Sequence, residues 1–494
     1  MRRAFGRQRR LDCPSVSEVT LNLDCRNETI PVLRGLQHIY STPKLRDSIL
    51  KAIARDVNRT SSAKHGRPGL SYWEILVLAA ARLGCGYDYD QLQDLAENHR
   101  ALRQVMGIGD WEGEENDRRR FDWRRIESNV NLLRPATIAQ INQAIIEEGH
   151  RLEPQAAQTV RGDSFVVETN IHYPTDSRLI VDGLRKVLGF AVMLAGLFGA
   201  TGWRQHKHLY RKARRLVRSI ERIAARKGTG YQERMKQPYR ELLAVAETVL
   251  SRADALRDTA RESGAFASAE AQALDQELET FLERTRQVCN LARRRVFEGE
   301  TIPHDEKLFS VFETHTQLYK RGKAREPVQF GRLVLVYEDG AGFLTHYYVL
   351  PRDQGDRDVV VEQTRTAQQR HKGKIRRGSF DRGFHSPEIQ KELAEILKHP
   401  CVPMPGSQQA AKQNETASVE FRNARQSHPG VESAIGALQS GNGLKRCRDR
   451  GEKGFERYIG LGVLGRNLHV LGKLLIAREA PDCQAARSRR KPAA

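Results

Sequence analysis

The stretch Arg161–Ser177, RGDSFVVETNIHYPTDS, decides how the rest of the chain is read. Its first half, Gly162–Glu168, is short, apolar and β-branched, which predicts a strand. Side chains alternate along a strand, so Asp163, Phe165 and Val167 share one face, and Ser164, Val166 and Glu168 the other. A carboxylate among packing residues is costly unless something pairs it. A metal ion would serve. So would water at an edge strand, or an arginine, and Asp163 alone does not choose between them.

Two later stretches bear on that choice. In Ile375–Leu393, IRRGSFDRGFHSPEIQKEL, Ile375–Phe380 reads as a strand that ends at Asp381. Gly383 permits a tight turn, and Ser386, Pro387 and Glu388 suit the N-cap, first position and first-turn acid of a helix. Asp381 thus stands at the carboxyl end of a strand, where open α/β sheets place their ligands. In Ser427–Leu444, SHPGVESAIGALQSGNGL, Val431, Ile435 and Leu438 form a helical apolar stripe with Glu432 at its border. The small Gly436 one turn later would allow a close approach to another element. Two strand aspartates and a helical glutamate are hard oxygen ligands of the kind that hold magnesium for phosphoryl transfer.

These residues resemble a family. Asp163 with VETNIHYPTDS, the turn Asp381-Arg382-Gly383-Phe384, and Glu432 followed by GLKRCRDRGEKGFERYIGLGVLGRNLHVLG are similar to the DDE transposases of bacterial insertion sequences, in particular the ISNCY-type group. The similarity runs from the N-terminal helical region to about residue 475. It implies an RNase H-like α/β catalytic core, a mixed sheet flanked by helices, that cleaves and joins DNA strands. It implies Asp163, Asp381 and Glu432 as catalytic residues and ligands of two Mg²⁺ ions, with Mn²⁺ as a substitute. Element ends and target, both double-stranded DNA, would be the partners, with a homodimer or larger assembly on DNA and a nucleoid-associated cytoplasmic location. Related insertion-sequence enzymes carry a Lys or Arg one to two turns after the glutamate. Here Gln439 stands there, and Lys445 or Arg446 would have to serve.

Composition leads independently to a polyanion. Lys and Arg number 82 against 61 Asp and Glu, a net charge of +21. Such an excess favours nucleic acid over an anionic membrane, although a merely basic soluble protein would look the same. Seven scattered cysteines without a CxxC pair read as reduced thiols and exclude a disulfide framework or zinc site. The basic N-terminus MRRAFGRQRRLDC lacks the apolar core of a secretory signal and reads as a flexible arm or a phosphate contact. The apolar run Val187–Trp203 falls short of a membrane span and is expected to pack against the sheet.

Along the chain, residues 1–150 read as a helical domain, which the resemblance assigns to end binding or protomer pairing. Residues 155–182 open the catalytic core, and 301–475 complete it. Phe330–Tyr337 and Phe343–Leu350 alternate around Asp339-Gly340-Ala341-Gly342, a hairpin signal, and Asp358–His371 reads as a crossover helix. Between the two core parts, 183–300 predicts two or three long helices in a coiled-coil-like arm. Its first helix, Arg204–Lys227, is strongly basic, and Arg204, Lys207, Arg211, Lys212, Arg214, Arg215 and Arg218 are candidates for DNA phosphate, with Arg382 beside Asp381. A solvated charged face is the alternative. Residues 476–494 read as a disordered basic tail.

Other acids compete for the site. Glu168 points away from Asp163, while Asp176 and Asp182 look like loop or helix-start acids. Asp353, Asp356 and Asp358 suit a capped loop, and Glu338 and Asp339 an ordinary turn. Glu415, Glu420 and Glu452 are within sequence reach of the role given to Glu432. His172 and His385 could touch a scissile phosphate or simply hold a structural hydrogen bond. A metal-dependent nuclease without strand transfer, or a DNA-binding protein that has lost its chemistry, would share most of these features.

Overall fold

A computed structural model describes residues 2–5, 13–59, 69–109, 121–320 and 327–489, save the side chains at 407 and from 480 onward. The chain forms two compact units, Met1–Asn170 with Gly331–Ala494, and Ile171–Phe330. The elements follow in order: α1 (Thr29–Ser41), α2 (Pro43–Val57), α3 (Tyr72–Gly84), α4 (Tyr89–Asn98), α5 (Arg100–Val105), α6 (Trp123–Val130), α7 (Pro135–Leu152) and β1 (Thr159–Thr169). The second unit holds α8 (Asp176–Leu197), α9 (His206–Arg226), α10 (Tyr231–Glu262), α11 (Ala269–Phe297) and a short β2 (Gln317–Lys320). Then come β3 (Val328–Asp339), β4 (Leu344–Val349), α12 (Asp356–Arg370), β5 (Arg377–Phe380), α13 (Pro387–Ile396), β6 (His399–Cys401), α14 (Ser407–Thr416), α15 (Val419–Ser427), α16 (Gly430–Ser440), β7 (Arg446–Cys447) and α17 (Glu452–Arg489).

The first unit is built on a mixed sheet in the order β4-β3-β1-β5-β6, with β7 beside the far end of β1. β3 runs antiparallel to both β1 and β4, whereas β5 runs parallel to β1 and β6 parallel to β5. The alternation read in β1 sorts its side chains onto two differently covered faces. Phe165 and Val167, with Val334 and Val336 of β3, join the core containing Val431, Ala434, Ile435 and Leu438 of α16 and the buried side of α17. On the other face, Tyr337 donates to the Val360 carbonyl of α12 at 3.2 Å and packs edge-on against Phe380.

α17 is the axis of this unit. Its run from Phe455 to Leu471 is apolar on nearly every side, and a helix hydrophobic all round must be buried. Leu461, Val463, Leu464, Leu468 and Leu471 are all fully inaccessible. Burying each contributes about 1.5–3 kcal/mol before the entropy of ordering is subtracted. Residues 452–479 form the one described helix long and apolar enough to cross a membrane, but 78% of its apolar window is buried inside the protein. Glycines let it come close. A Cβ on Gly465 would stand 2.4 Å from Gly84 of α3, and one on Gly472 would overlap the Pro31 carbonyl of α1.

Several expectations change. The helices before residue 150 are no separate domain, because α1, α3 and α7 share one core with α17 and the sheet. The chain start is no loose arm at residues 2–5: Arg2 donates to Asn129 at 2.7 Å, and Phe5 packs on Tyr40 and Trp73. Residues 6–12 lie outside the described residues. The tail from 476 is not disordered throughout, since α17 continues to Arg489; 490–494 lie outside the description. Gly436 is not needed for a close approach, since a Cβ there would meet no other element of the described residues within 4 Å.

The described residues of the second unit form a bundle of four α-helices, more than the two or three expected, and the unit extends past 183–300 at both ends. The apolar run of α8 serves this bundle and not the sheet: Val187, Leu188, Ala191 and Leu194 pack with Leu242, Ala246 and Val249 of α10 and Leu278 and Leu282 of α11. α9 adds Ala213, Val217 and Ile220 on one side and leaves its basic side exposed.

Candidate active site

Register brings the two aspartates together. Gly162 pairs with Phe380 across the parallel β1–β5 ladder, so Asp163 and Asp381 are each the next residue along neighbouring strands. Adjacent strands lie about 4.8 Å apart. The pair sits on one face, because Asp163 follows the alternation of Arg161 and Phe165, and Asp381 that of Arg377 and Ser379. This is the face that α16 covers, since Phe165 and Val167 pack with Val431 and Ile435. Glu432 stands in the first turn of α16, exposed, with Val431 and Ala434 turned into the core.

Backbone amides orient both aspartates. Asp163 is half-buried, and its Oδ1 accepts from the Ser164 amide at 2.7 Å. Asp381 is exposed and caps the short turn Arg382–Phe384, accepting from the Arg382 amide at 2.7 Å. Arg382 is exposed beside it.

One group unites the far side of the site and was not singled out from the sequence. His428, in the turn before α16, places Nδ1 3.1 Å from the Ser379 hydroxyl of β5. Burial pushes its imidazole below the usual histidine range, against the pull of both Asp381 and Glu432, and Arg161 adds to the lowering. His428 therefore feels both carboxylates at once. Arg161 fixes the same turn from β1 by donating to the Ser427 carbonyl at 3.1 Å, and it pairs with Glu338 at 2.7 Å. The SHPG quartet was legible as a helix start; its contact with β5 was not, because the partners lie far apart in sequence.

The rival acids find other work. Glu168 pairs with Arg446 at 3.1 Å, which also occupies one of the two cations considered for phosphate. Asp176 pairs with Arg295, Asp182 with His172 at 2.6 Å, and Glu452 with Arg332 at 3.2 Å. Asp358 closes the first turn of α12 through the Gly355 amide. Glu420 stands in the first turn of α15, and its own backbone amide, then Ser418, hold its carboxyl below the usual range.

Glu338 and Asp339 are not ordinary turn residues. Asp339 is fully buried, accepts from the Ala341 and Phe343 amides at 2.9 Å each, and meets His150 at 2.8 Å. Neither candidate histidine is hydrogen-bonded to the aspartates among the described residues: His172 serves Asp182, and the buried Nε2 of His385 finds no partner there.

Carboxylate oxygens are the donors that Mg²⁺ takes, so the donor chemistry of Asp163, Asp381 and Glu432 fits that ion. Among the described residues no group of three or more His, Cys, Asp or Glu stands at ligating distances. Closing the set around a cation would require the exposed Asp381 and Glu432 side chains to turn inward.

In the second unit, Arg204, Lys207, Arg211, Lys212, Arg214, Arg215 and Arg218 are all exposed. The helix's one acid, Glu221, is taken by Arg178. Arg214 lies over the Tyr210 ring and Arg211 donates to the Lys207 carbonyl, neither of which neutralises charge. The six described cysteines are free thiols. No protein-family model, no curated protein and no solved structure matches the chain.

Proposed function

We propose that the chain is a DDE transposase with an RNase H-like core, cutting DNA at the ends of an insertion sequence and joining the freed strand to target DNA. The observation that carries the reading is the register Gly162↔Phe380, which sets Asp163 beside Asp381 under the helix bearing Glu432. The sheet order supports it: a strand, an antiparallel hairpin, a crossover helix and a parallel strand on the other side of the first is the order expected of an RNase H-like core.

In this reading Asp163, Asp381 and Glu432 would hold Mg²⁺. When bound, that ion supplies Lewis acidity toward the scissile phosphate. The chain's own part is positional. β1 and β5 hold the two aspartates in register, while Arg161 and His428 tie the start of α16 to those strands and so limit where Glu432 can reach. Arg382 would meet the phosphate from the β5 side. α9 would run along the backbone of the duplex, contributing affinity without sequence preference.

The test is cleavage and binding of a labelled duplex carrying an element end, with Mg²⁺. D163N and D381N should abolish cleavage and leave duplex affinity within about twofold, since each removes a ligand and no phosphate contact. Equal loss of binding and cleavage would refute that division. A strand-transfer assay on the same substrate separates a transposase from a nuclease that only cuts.

A further inference from the structure

At the other end of β5, away from Asp381, lies a cleft of about 290 Å³ between the ends of α7 and α12. Its lining is dominated by His150, Arg151, Arg370, His371, Lys372 and Lys374. Two of these cations are already paired, Arg151 with Glu148 at 2.6 Å and Lys372 with Glu147 at 3.6 Å. Two are not. Arg370 donates to Nδ1 of His346 at 3.0 Å, and the other ring nitrogen of His346 meets Gln363 at 2.9 Å. Burial, then the charge of Arg370, pushes His346 down to about 4, so its imidazole is neutral and leaves the guanidinium charge uncompensated. Lys374 is exposed at the rim.

The floor of the cleft holds the second observation. His371 is only 6% exposed, yet among the described residues neither ring nitrogen has a hydrogen-bond partner. The Ala157 carbonyl is near the ring without completing a bond of ordinary geometry. Among the described residues its ring neighbour is His150, with centroids 5.2 Å apart, and that imidazole is committed to Asp339 at 2.8 Å. A buried polar side chain without a partner costs free energy, so native proteins rarely leave one. The turn after α12 sets the rim: Lys372 and Gly373 both take positive φ, 56° and 75°. Main-chain bonds from Lys372, Gly373 and Lys374 back to Gln369, Gln368 and His371 lock that turn.

We propose that this cleft binds a phosphoryl group, with Arg370 and Lys374 supplying charge and a ring nitrogen of His371 supplying the deep hydrogen bond. Uncompensated cations around a polar floor suit a compact oxyanion with several acceptor oxygens. The group could come from free phosphate or a small phosphoester, or from the backbone of a nucleic acid. The inference does not rest on the catalytic reading, because none of its residues belongs to that site.

The experiment is ³¹P NMR titration of inorganic phosphate against the full chain at constant ionic strength, with a duplex as competitor. Saturable broadening is expected, and R370Q/K374Q, both exposed and so tolerated by the fold, should weaken it about tenfold or more. H371F, which keeps the ring volume and removes both nitrogens, should weaken it with the far-ultraviolet spectrum unchanged. If H371F does not fold, R370Q/K374Q still decides. Displacement by the duplex would assign the site to nucleic acid backbone; persistence would assign it to a small phosphate ligand. Non-saturable broadening, or equal affinity in R370Q/K374Q, would overturn the proposal and leave these cations as complements of two helix carboxyl ends.

Discussion

Replacing Arg211, Arg214, Arg215 and Arg218 with Gln tests α9 as a DNA contact. At 100° per residue these four fall within about 100° of arc, opposite the buried Ala213, Val217 and Ile220. From Arg211 to Arg218 the ridge rises about 10 Å. One strand of duplex presents a phosphate each ~3.4 Å of axis, so the ridge can span about four, one for each cation. Four lost contacts would flatten the slope of log K against log salt by about 3.6. Between 50 and 200 mM salt the native chain should therefore lose about 150-fold more affinity than R211Q/R214Q/R215Q/R218Q. The assay is fluorescence anisotropy with an element-end duplex and a scrambled one, and both should show the same change. Stability should not fall, because the side chains are exposed and their mutual repulsion is relieved. Slopes that agree within about half a unit would mean that α9 is a solvated face, whatever its charge.

Other perturbations have defined outcomes. G465A drives a methyl group into the backbone of α3 at Gly84, where nothing flexible can yield, and should cost about 3 kcal/mol in denaturant unfolding. His346 and His371 are each pushed down to about 4, in both cases first by burial. For a base whose folded pKa is depressed, the stabilisation is complete above its unfolded value near 6.5 and is lost as pH falls toward 4. Each contributes at most about 3 kcal/mol to that dependence, and H346Q should visibly flatten stability against pH across this window. Glu148 is held down to about 2, by Arg151 and then, against burial, by His38. Its stabilisation is present above about 4.5 and lost as pH drops toward 2, so E148Q should flatten the acid limb in that lower window while sparing the higher one.

Local chemistry made much of the sheet readable. The hairpin showed in the alternation around Asp339–Gly342, the crossover helix lies within two residues of its expected start, and Ser386 caps α13 by accepting from Ile389 as its sequence implied. What stayed hidden depends on long-range partners. Asp339 sits at a turn, where acids usually face water, but its side chain folds inward to bind its own turn and His150. The run Val187–Trp203 is apolar enough for any buried surface, and periodicity does not say whether that surface is a sheet or a sister helix. The shared core of α1, α3, α7 and α17 is assembled from both ends of the chain. Its buried Arg82–Asp449 pair, 2.7 Å apart, joins residues that no local pattern connects. For the candidate site, residue types and strand endings pointed to Asp163, Asp381 and Glu432 as candidates, whereas His428 becomes visible only through Ser379.

The exit and return points of the second unit have a consequence for how such a chain can change. Glu168 and Gly331 are partners in the β1–β3 ladder, and the strands pinch there so tightly that a Cβ on Gly331 would stand 2.0 Å from the Val167 carbonyl. The helical bundle is thus a guest threaded through what would otherwise be a hairpin loop, entering and leaving at neighbouring residues. Closing a loop of about 160 residues costs little more than closing a much shorter one, since each doubling adds only about 0.6 kcal/mol. By that scaling, the length of chain inserted at this seam weighs little on the free energy of pairing β1 with β3.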